Sequence, residues 1–139
     1  MKGWIGVDFD GTLAHYDGWV SATHCGAPIE KMVSRVKQWL AEGREVRVFT
    51  ARIWPALYSP PGMSGRDTPS QKSVGFSAAA DRDASEAIDA VRAWCKEHIG
   101  QDLAITCVKD MAMIELYDDR CVQVRPNSGD LVGYSTRSL

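Results

Sequence analysis

Two aspartates separated by a single residue follow an apolar run near the start of the chain. Asp8 and Asp10 stand in WIGVDFDGT, residues 4–12, directly before a glycine and a threonine. In an extended strand, side chains two residues apart point to the same side, so these carboxylates are expected to lie close together. Carboxylates at that distance repel each other, and a hard cation such as Mg²⁺ relieves the repulsion because it prefers oxygen ligands. The pair therefore indicates a magnesium site, and an Asx-type turn is the alternative that an isolated DxD would favour.

Similar polar residues follow three later apolar runs. Residues 45–49 (EVRVF), 103–108 (LAITCV) and 113–117 (MIELY) are typical of strands. The polar residues after them are, in chain order, Thr50, Arg52, Lys109, Asp118 and Asp119. In a parallel sheet the carboxyl ends of the strands meet at one edge, and the ligand crevice lies outside that edge. The sequence therefore predicts a single site that collects these side chains together with Asp8 and Asp10.

The elements that must position these residues alternate between strand and helix. Apolar residues recur at helical spacing over 28–42 and about 84–98, and Asp83 gives the second helix a capping-box-like start. Further strands are expected at 3–9 and 121–124. This order is typical of βαβ units, and it predicts an α/β fold with a mainly parallel sheet covered by helices on both faces.

A stretch rich in Pro, Gly and Ser interrupts the alternation. Ten of the seventeen residues in 59–75 are of these types, inside a stretch of about 53–81 without a helix or strand pattern. A loop of that length in a compact domain is either functional or disordered. Because it follows Thr50, it is expected to hang over the active-site edge of the sheet, either as a flexible lid facing substrate or as a surface excursion.

Four short motifs together resemble those of the haloacid dehalogenase-like (HAD) superfamily of phosphohydrolases. VDFDGT (7–12) resembles its first motif and VFTAR (48–52) its second, while Lys109 resembles the third and LYDDR (116–120) the fourth. The motifs follow in the family's order, each at a strand end, over residues 4–124. The chain is also similar to small phage and bacterial HAD proteins, and distantly to the phosphatase domain of polynucleotide kinase-phosphatases. The resemblance implies a Rossmann-like three-layer α/β/α fold.

The resemblance also implies a reaction. Asp8 would attack phosphorus to form an aspartyl-phosphate, and Asp10 would protonate the leaving alkoxide and then act as base for the hydrolytic water. Mg²⁺ would be held by Asp8, by the backbone carbonyl of Asp10 and by an acid of the Asp118–Asp119 pair, with Asp119 favoured for direct contact. An acid at position 10 is typical of the family's phosphatases, not of its dehalogenases or ion pumps.

Five further side chains are candidates for contact with the phosphate. In the family, Lys109 would offset the negative charge and Thr50 would donate a hydrogen bond to a phosphoryl oxygen. Arg52 and Arg120 flank the expected site and could hold a phosphate or carboxylate of the substrate through paired hydrogen bonds. Thr12 supplies a hydroxyl where the first strand ends. Structural ion pairs and a solvated lysine are the alternatives for these cations.

Many HAD enzymes carry a folded cap domain, for which this chain has too little sequence between its motifs. Residues 11–28, here called the flap segment, are long enough only for a flap. An open site fits a large substrate, and the resemblance favours a nucleotide or a nucleic-acid 3′-phosphate. Two alternatives differ in class: a catalytically weak HAD-fold protein that binds phosphate or regulates, and a mutase that transfers phosphoryl groups between sugars.

Composition limits the class of protein and its partners. The chain has 139 residues, 45% of them hydrophobic, and a formal net charge of −2. These values fit a single domain over residues 1–139 without the basic field of a tight nucleic-acid binder. No apolar stretch approaches the roughly 20 residues of a membrane span, the N-terminus does not resemble a signal peptide, and the four cysteines lack zinc-site spacing. A cytoplasmic enzyme with a phosphorylated substrate and no membrane partner is expected, and the oligomeric state is left open.

Overall fold

Strands and helices alternate along the chain. The structure is a computed structural model, and it describes residues 2–53 and 74–133, without the side chains of residues 74–81. In chain order the elements of this part are β1 (Trp4–Asp8), α1 (Glu30–Ala41), β2 (Glu45–Phe49), a 3₁₀ turn (Ala51–Ile53), α2 (Val74–His98), β3 (Ala104–Thr106) and β4 (Met113–Tyr117).

The strands form one parallel sheet in the order β3–β2–β1–β4. β1 pairs on both sides, and all five of its residues are buried, as expected for a central strand of a parallel sheet. Because the strands run in the same direction, the ends of β1, β2 and β4 lie at one edge of the sheet. The prediction of an α/β fold with a parallel sheet is confirmed.

Both helices pack on the same face of the sheet. Their apolar stripes join alternate residues of β1 and β2 in one continuous core, and Phe9 meets Trp94 edge to face with ring centroids 5.0 Å apart. Within the described part of the chain, helices therefore cover one face only, and the three-layer arrangement stays a prediction. The core residues of these four elements include Ile5, Val7, Met32, Val33, Val36, Val46, Val48, Val91, Trp94 and Cys95.

The pairing of β1 with β4 contains one irregularity. Trp4 pairs with Met113, whereas the next residue, Ile5, pairs with Glu115. Ile114 is therefore an extra residue in β4, and its side chain is exposed. Such a bulge shifts every later residue of the strand by one position along its partner. Beyond it the register is regular to the end of β4.

The connection between β3 and β4 crosses the face of the sheet opposite the helices. Thr106 pairs with the end of β2, whereas Met113 pairs with Trp4 at the start of β1, so the chain must return across the sheet between them. Asp110 fixes this crossing. Its Oδ1 accepts a hydrogen bond from Nε1 of Trp4 at 2.8 Å, and its Oδ2 accepts one from Nη1 of Arg47 at 3.4 Å.

Two secondary-structure predictions were wrong. α2 begins at Val74 instead of residue 84, so Asp83 lies inside the helix and is not its cap. Residues 121–124 form no strand of the sheet, and Val124 makes only an isolated bridge with Leu131. This apolar run follows β4, one of the two edge strands, and pairs with no strand of the sheet within the described residues.

The predicted loop over 53–81 is shorter than expected. Ile53 belongs to the 3₁₀ turn and residues 74–81 belong to α2. The remainder, 54–73, lies outside the described residues, and the prediction that it forms a lid over the site falls on those residues.

All four cysteines are free. In the part of the chain that the structure describes, neither helix combines the length and the apolarity needed to cross a bilayer.

Candidate functional site

Three carboxylates converge where β1 and β4 end. One oxygen from each of Asp8, Asp118 and Asp119 lies within 4.8 Å of the other two. Asp8 is the last residue of β1 and is 8% exposed, whereas Asp118 is half-buried and Asp119 is exposed. The group offers a divalent cation several oxygen ligands at one point. The structure thus brings together two strand ends that were expected to meet, and both acids after β4 can reach the meeting point.

The turn after β1 makes this approach possible. Gly11 has a φ of +89°, and a β-carbon there would lie 2.5 Å from Oδ2 of Asp119. Glycine alone takes that backbone conformation without strain and leaves room for the carboxylate. Thr12 Oγ1 donates to Oδ2 of Asp8 at 3.3 Å and accepts from the N–H of Asp119 at 3.1 Å. Thr12, a candidate for binding substrate, therefore uses its hydroxyl to join β1 to the segment after β4.

The electrostatics of the group centre on Asp8. Burial and then the charges of Asp118 and Asp119 raise the pKa of Asp8 to about 7, against the opposing effect of the hydrogen bond from Thr12. Near neutral pH the three acids therefore hold an extra proton for part of the time. A hard cation bound between them would displace that proton, because the ligand oxygens must be deprotonated. This donor set fits a divalent cation of the Mg²⁺ class.

Asp10 is held apart from these three acids by Arg52. The Nε of Arg52 donates to Oδ2 of Asp10 at 2.7 Å, and its Nη2 donates to Oδ1 at 2.8 Å. This paired geometry fixes the carboxylate in one orientation. Asp10 was expected beside Asp8, but its carboxylate is not part of the group formed by Asp8 and the two acids after β4. Arg52, a candidate for binding substrate, instead makes an ion pair within the protein.

A cavity of about 440 Å³ opens beside the carboxylates. Thr50 is 2% exposed on its wall, where its N–H donates to the carbonyl of Thr106 and its Oγ1 accepts from the N–H of Arg52. Arg120 also lines the cavity, and no carboxylate among the described side chains forms an ion pair with it. The full lining comprises Asp8, Asp10, Tyr16, Trp19, Ala22, Thr50, Ala51, Arg52, Asp83, Asp119 and Arg120.

Lys109 is exposed and does not line this cavity. The reason lies in the crossing between β3 and β4, because the next residue, Asp110, is bonded to Trp4 at the opposite end of β1. At ~3.3 Å per residue, Trp4 lies about 13 Å along the strand from Asp8. The bond from Asp110 to Trp4 therefore draws this connection toward the start of β1, away from the edge where the carboxylates meet. The positive charge at the cavity comes from the two arginines.

Five residues of the cavity were not anticipated from the sequence, and besides Ala22 and Ala51 they are Tyr16, Trp19 and Asp83. Tyr16 and Trp19 are 45% and 58% exposed, and Asp83 reaches the wall from α2. The available signal was the presence of two aromatic residues in the flap segment, which has no helix or strand pattern in the sequence. Asp83 was interpreted as the cap of a helix beginning at residue 84, so it was not considered as a residue of the site.

Comparisons of this chain with protein-family models, with curated proteins and with solved structures find no match.

Proposed function

We propose that this protein is a Mg²⁺-dependent phosphomonoesterase of the HAD type, with that family's Rossmann-like fold. The observation that carries the proposal is the meeting of Asp8, Asp118 and Asp119 within 4.8 Å at the carboxyl edge of a parallel sheet. A cavity beside them supplies the space for a phosphorylated group. The four motifs of the sequence support the same assignment, since three of them end at this cavity.

In this proposal Asp8 is the nucleophile, and Asp10 is the general acid and then the general base. A carboxylate oxygen of Asp8 forms a bond to phosphorus while the bond from phosphorus to the leaving oxygen breaks, and Asp10 gives its proton to that oxygen. Asp10 then takes a proton from the water that attacks phosphorus, and the aspartyl-phosphate bond breaks to release phosphate and restore Asp8. The burial of Asp8 limits the access of water to the nucleophile before substrate arrives.

The remaining side chains neutralise and orient the phosphate. Mg²⁺ bound by Asp8, Asp119 and Asp118, with the backbone carbonyl of Asp10, would supply the positive charge that lets a carboxylate approach a phosphate dianion. Arg120 lines the cavity and can donate paired hydrogen bonds to phosphoryl oxygens. Thr50 lies on the wall and offers its hydroxyl to another phosphoryl oxygen.

A nucleotide or a nucleic-acid 3′-phosphate is the proposed substrate class. Tyr16 and Trp19 present exposed aromatic rings on the same cavity that reaches Asp8. A nucleobase gains roughly 1–3 kcal/mol by stacking on such a ring. The acidic pI of about 5.9 favours a brief encounter with a small ligand or a strand end over binding along a polymer.

A second candidate function is a phosphate-binding or regulatory protein with weak catalysis. The observation that favours it is the position of Lys109 outside the cavity, which leaves the reaction without the cation that the third motif would supply. This candidate predicts cation and phosphate binding without turnover on a broad panel of phosphomonoesters.

Hydrolysis of 4-nitrophenyl phosphate with Mg²⁺ and with EDTA tests the proposal. We expect activity that requires the cation and falls by at least about 10³-fold in Asp8→Asn, since that variant loses the nucleophile. Asp130→Asn is the matched control, because Asp130 lies in an exposed turn away from the cavity. Equal rates for wild type and Asp8→Asn would exclude the mechanism, and binding without turnover would favour the second candidate.

A further inference from the structure

We propose that Arg52 is a positioning residue that aims the carboxylate of Asp10 and couples it to the flap segment. The inference rests on the proposed phosphatase activity. It replaces the expectation that Arg52 binds the substrate.

The guanidinium of Arg52 is almost fully engaged by the protein. Besides its two hydrogen bonds to Asp10, Nη1 donates to the carbonyl of Ala22 at 3.1 Å and Nη2 donates to the carbonyl of His24 at 2.8 Å. Four of its five N–H groups are thus occupied, and its side chain is 4% exposed. A phosphate could be held by paired hydrogen bonds only after contacts with Asp10 or the flap segment were broken.

The consequence for Asp10 is a fixed position on the cavity wall. Both oxygens accept from Arg52, the side chain remains 19% exposed, and it lines the cavity. Each oxygen keeps a free lone-pair direction for a proton in transfer. Proton transfer to a leaving group requires such alignment, and a freely rotating carboxylate would lose it. Arg52 also keeps this carboxylate out of the group that Asp8 forms with the acids after β4.

The same guanidinium holds the flap segment. Its two carbonyl acceptors belong to that segment, and its central carbon lies 5.2 Å from the ring centroid of Trp19 and 5.3 Å from that of Phe9. Arg52 is therefore enclosed between an exposed aromatic ring of the flap and a buried ring of the core. A substrate that contacts Trp19 would press on the guanidinium of Arg52, which holds Asp10. Contacts with the flap segment are in this way linked to proton transfer by Asp10.

The test compares two leaving groups in Arg52→Gln and Arg52→Lys. An alkyl phosphate needs protonation of its leaving oxygen, whereas 4-nitrophenyl phosphate needs little help. We expect Arg52→Gln to lower kcat/KM for the alkyl phosphate by about 10–100-fold and for the aryl phosphate by less than about 3-fold. Arg52→Lys keeps the charge without the paired geometry, and it should lie between wild type and Arg52→Gln.

Three controls separate positioning from folding, metal binding and substrate binding. Arg92→Gln breaks an exposed Arg92–Asp102 pair of the same chemistry and should leave both substrates unchanged. Asp10→Asn should reproduce the leaving-group pattern of Arg52→Gln, and the double variant should add little to it. Calorimetric titration with Mg²⁺ should give the same affinity for Arg52→Gln as for wild type.

Equal losses for both substrates, or none, in Arg52→Gln would overturn the proposal, as would a large rise of KM with unchanged kcat. If Arg52→Gln fails to fold, Arg52→Lys and Trp19→Ala decide the matter, since both must still show the selective loss with the alkyl phosphate. Failure of the proposed function has a different signature, because Asp8→Asn would then match wild type with either substrate.

Discussion

Gly11 and Asp119 approach so closely that a β-carbon on the glycine would lie 2.5 Å from a carboxylate oxygen of the aspartate. Asp119 can therefore join Asp8 only while position 11 has no side chain. Gly11→Ala should lower the stability by about 1–3 kcal/mol, because its φ of +89° becomes strained. It should also weaken Mg²⁺ affinity at least 10-fold. Thermal unfolding and calorimetric titration measure the two effects, and Gly133→Ala, also at positive φ but with open space around it, controls for backbone strain.

The hydroxyl of Thr12 joins the two ends of the site. Thr12→Val should destabilise the protein by roughly 1–3 kcal/mol, since the N–H of Asp119 and the carboxylate of Asp8 each lose a partner. Thr12→Ser keeps the hydroxyl and should stay within about 1 kcal/mol of wild type. Urea denaturation with EDTA measures both, and equal stability of the valine and serine variants would contradict the bridging role.

The raised pKa of Asp8 makes cation binding depend on pH. Binding displaces a proton from a group whose pKa is about 7, so Mg²⁺ affinity should rise from pH 6 to pH 8 and then level off. Titration calorimetry in buffers of different ionisation enthalpy measures both the affinity and the proton released. An affinity that is flat across this range would show that Asp8 is already ionised at pH 6.

Without a cation, the raised pKa of Asp8 makes the stability of the fold decrease as pH rises. The native state holds the proton of Asp8 more tightly than the unfolded chain does, so stability should fall as pH rises from about 4 to 7. Saturating Mg²⁺ should flatten this fall, because the cation binds only the native state and replaces the proton that the native state would otherwise lose. Thermal unfolding at several pH values measures it, and Asp8→Asn should remove Asp8's contribution to the slope.

Arg120, and not Lys109, should supply the mobile positive charge of the site. Arg120→Gln should weaken inhibition by inorganic phosphate by roughly 10–100-fold, the loss of a charged hydrogen-bonding pair. Lys109→Gln should change it by less than about 3-fold, since its side chain does not line the cavity. Steady-state inhibition measures both constants. The reverse order would mean that the crossing between β3 and β4 turns its lysine back to the phosphate.

The predictable part of this protein is the part dictated by the periodicity of its apolar residues. β1, β2 and β4 and the helix at Glu30–Ala41 follow directly from it. The start of α2 could not be derived, because Asp83 and Glu86 resemble a capping box although the helix extends upstream to Val74. Local capping signals describe a preference and do not by themselves fix the residue at which a helix begins.

The candidate site shows a similar division. That Asp8 would meet the acids at Asp118 and Asp119 follows from the rule that parallel strands end at one edge. The position of Lys109 does not follow from that rule, because it depends on how the short connection between β3 and β4 crosses the sheet. Nor could the sequence decide whether Arg52 binds a ligand or Asp10, since both are charge-assisted hydrogen bonds of equal chemical plausibility.

The extra residue in β4 sets the register that brings the acids after β4 to the end of β1. If Ile114 were paired regularly instead of bulging out, the register that begins at Trp4 would bring Tyr117 to the level of Asp8, and the acids that follow would be displaced by one position. A chain that kept every aspartate but paired this isoleucine with Ile5 would still carry the letters of the motif and would lose their meeting point. In this fold, the register of β4 is therefore as much a part of the candidate site as the chemical identity of its residues.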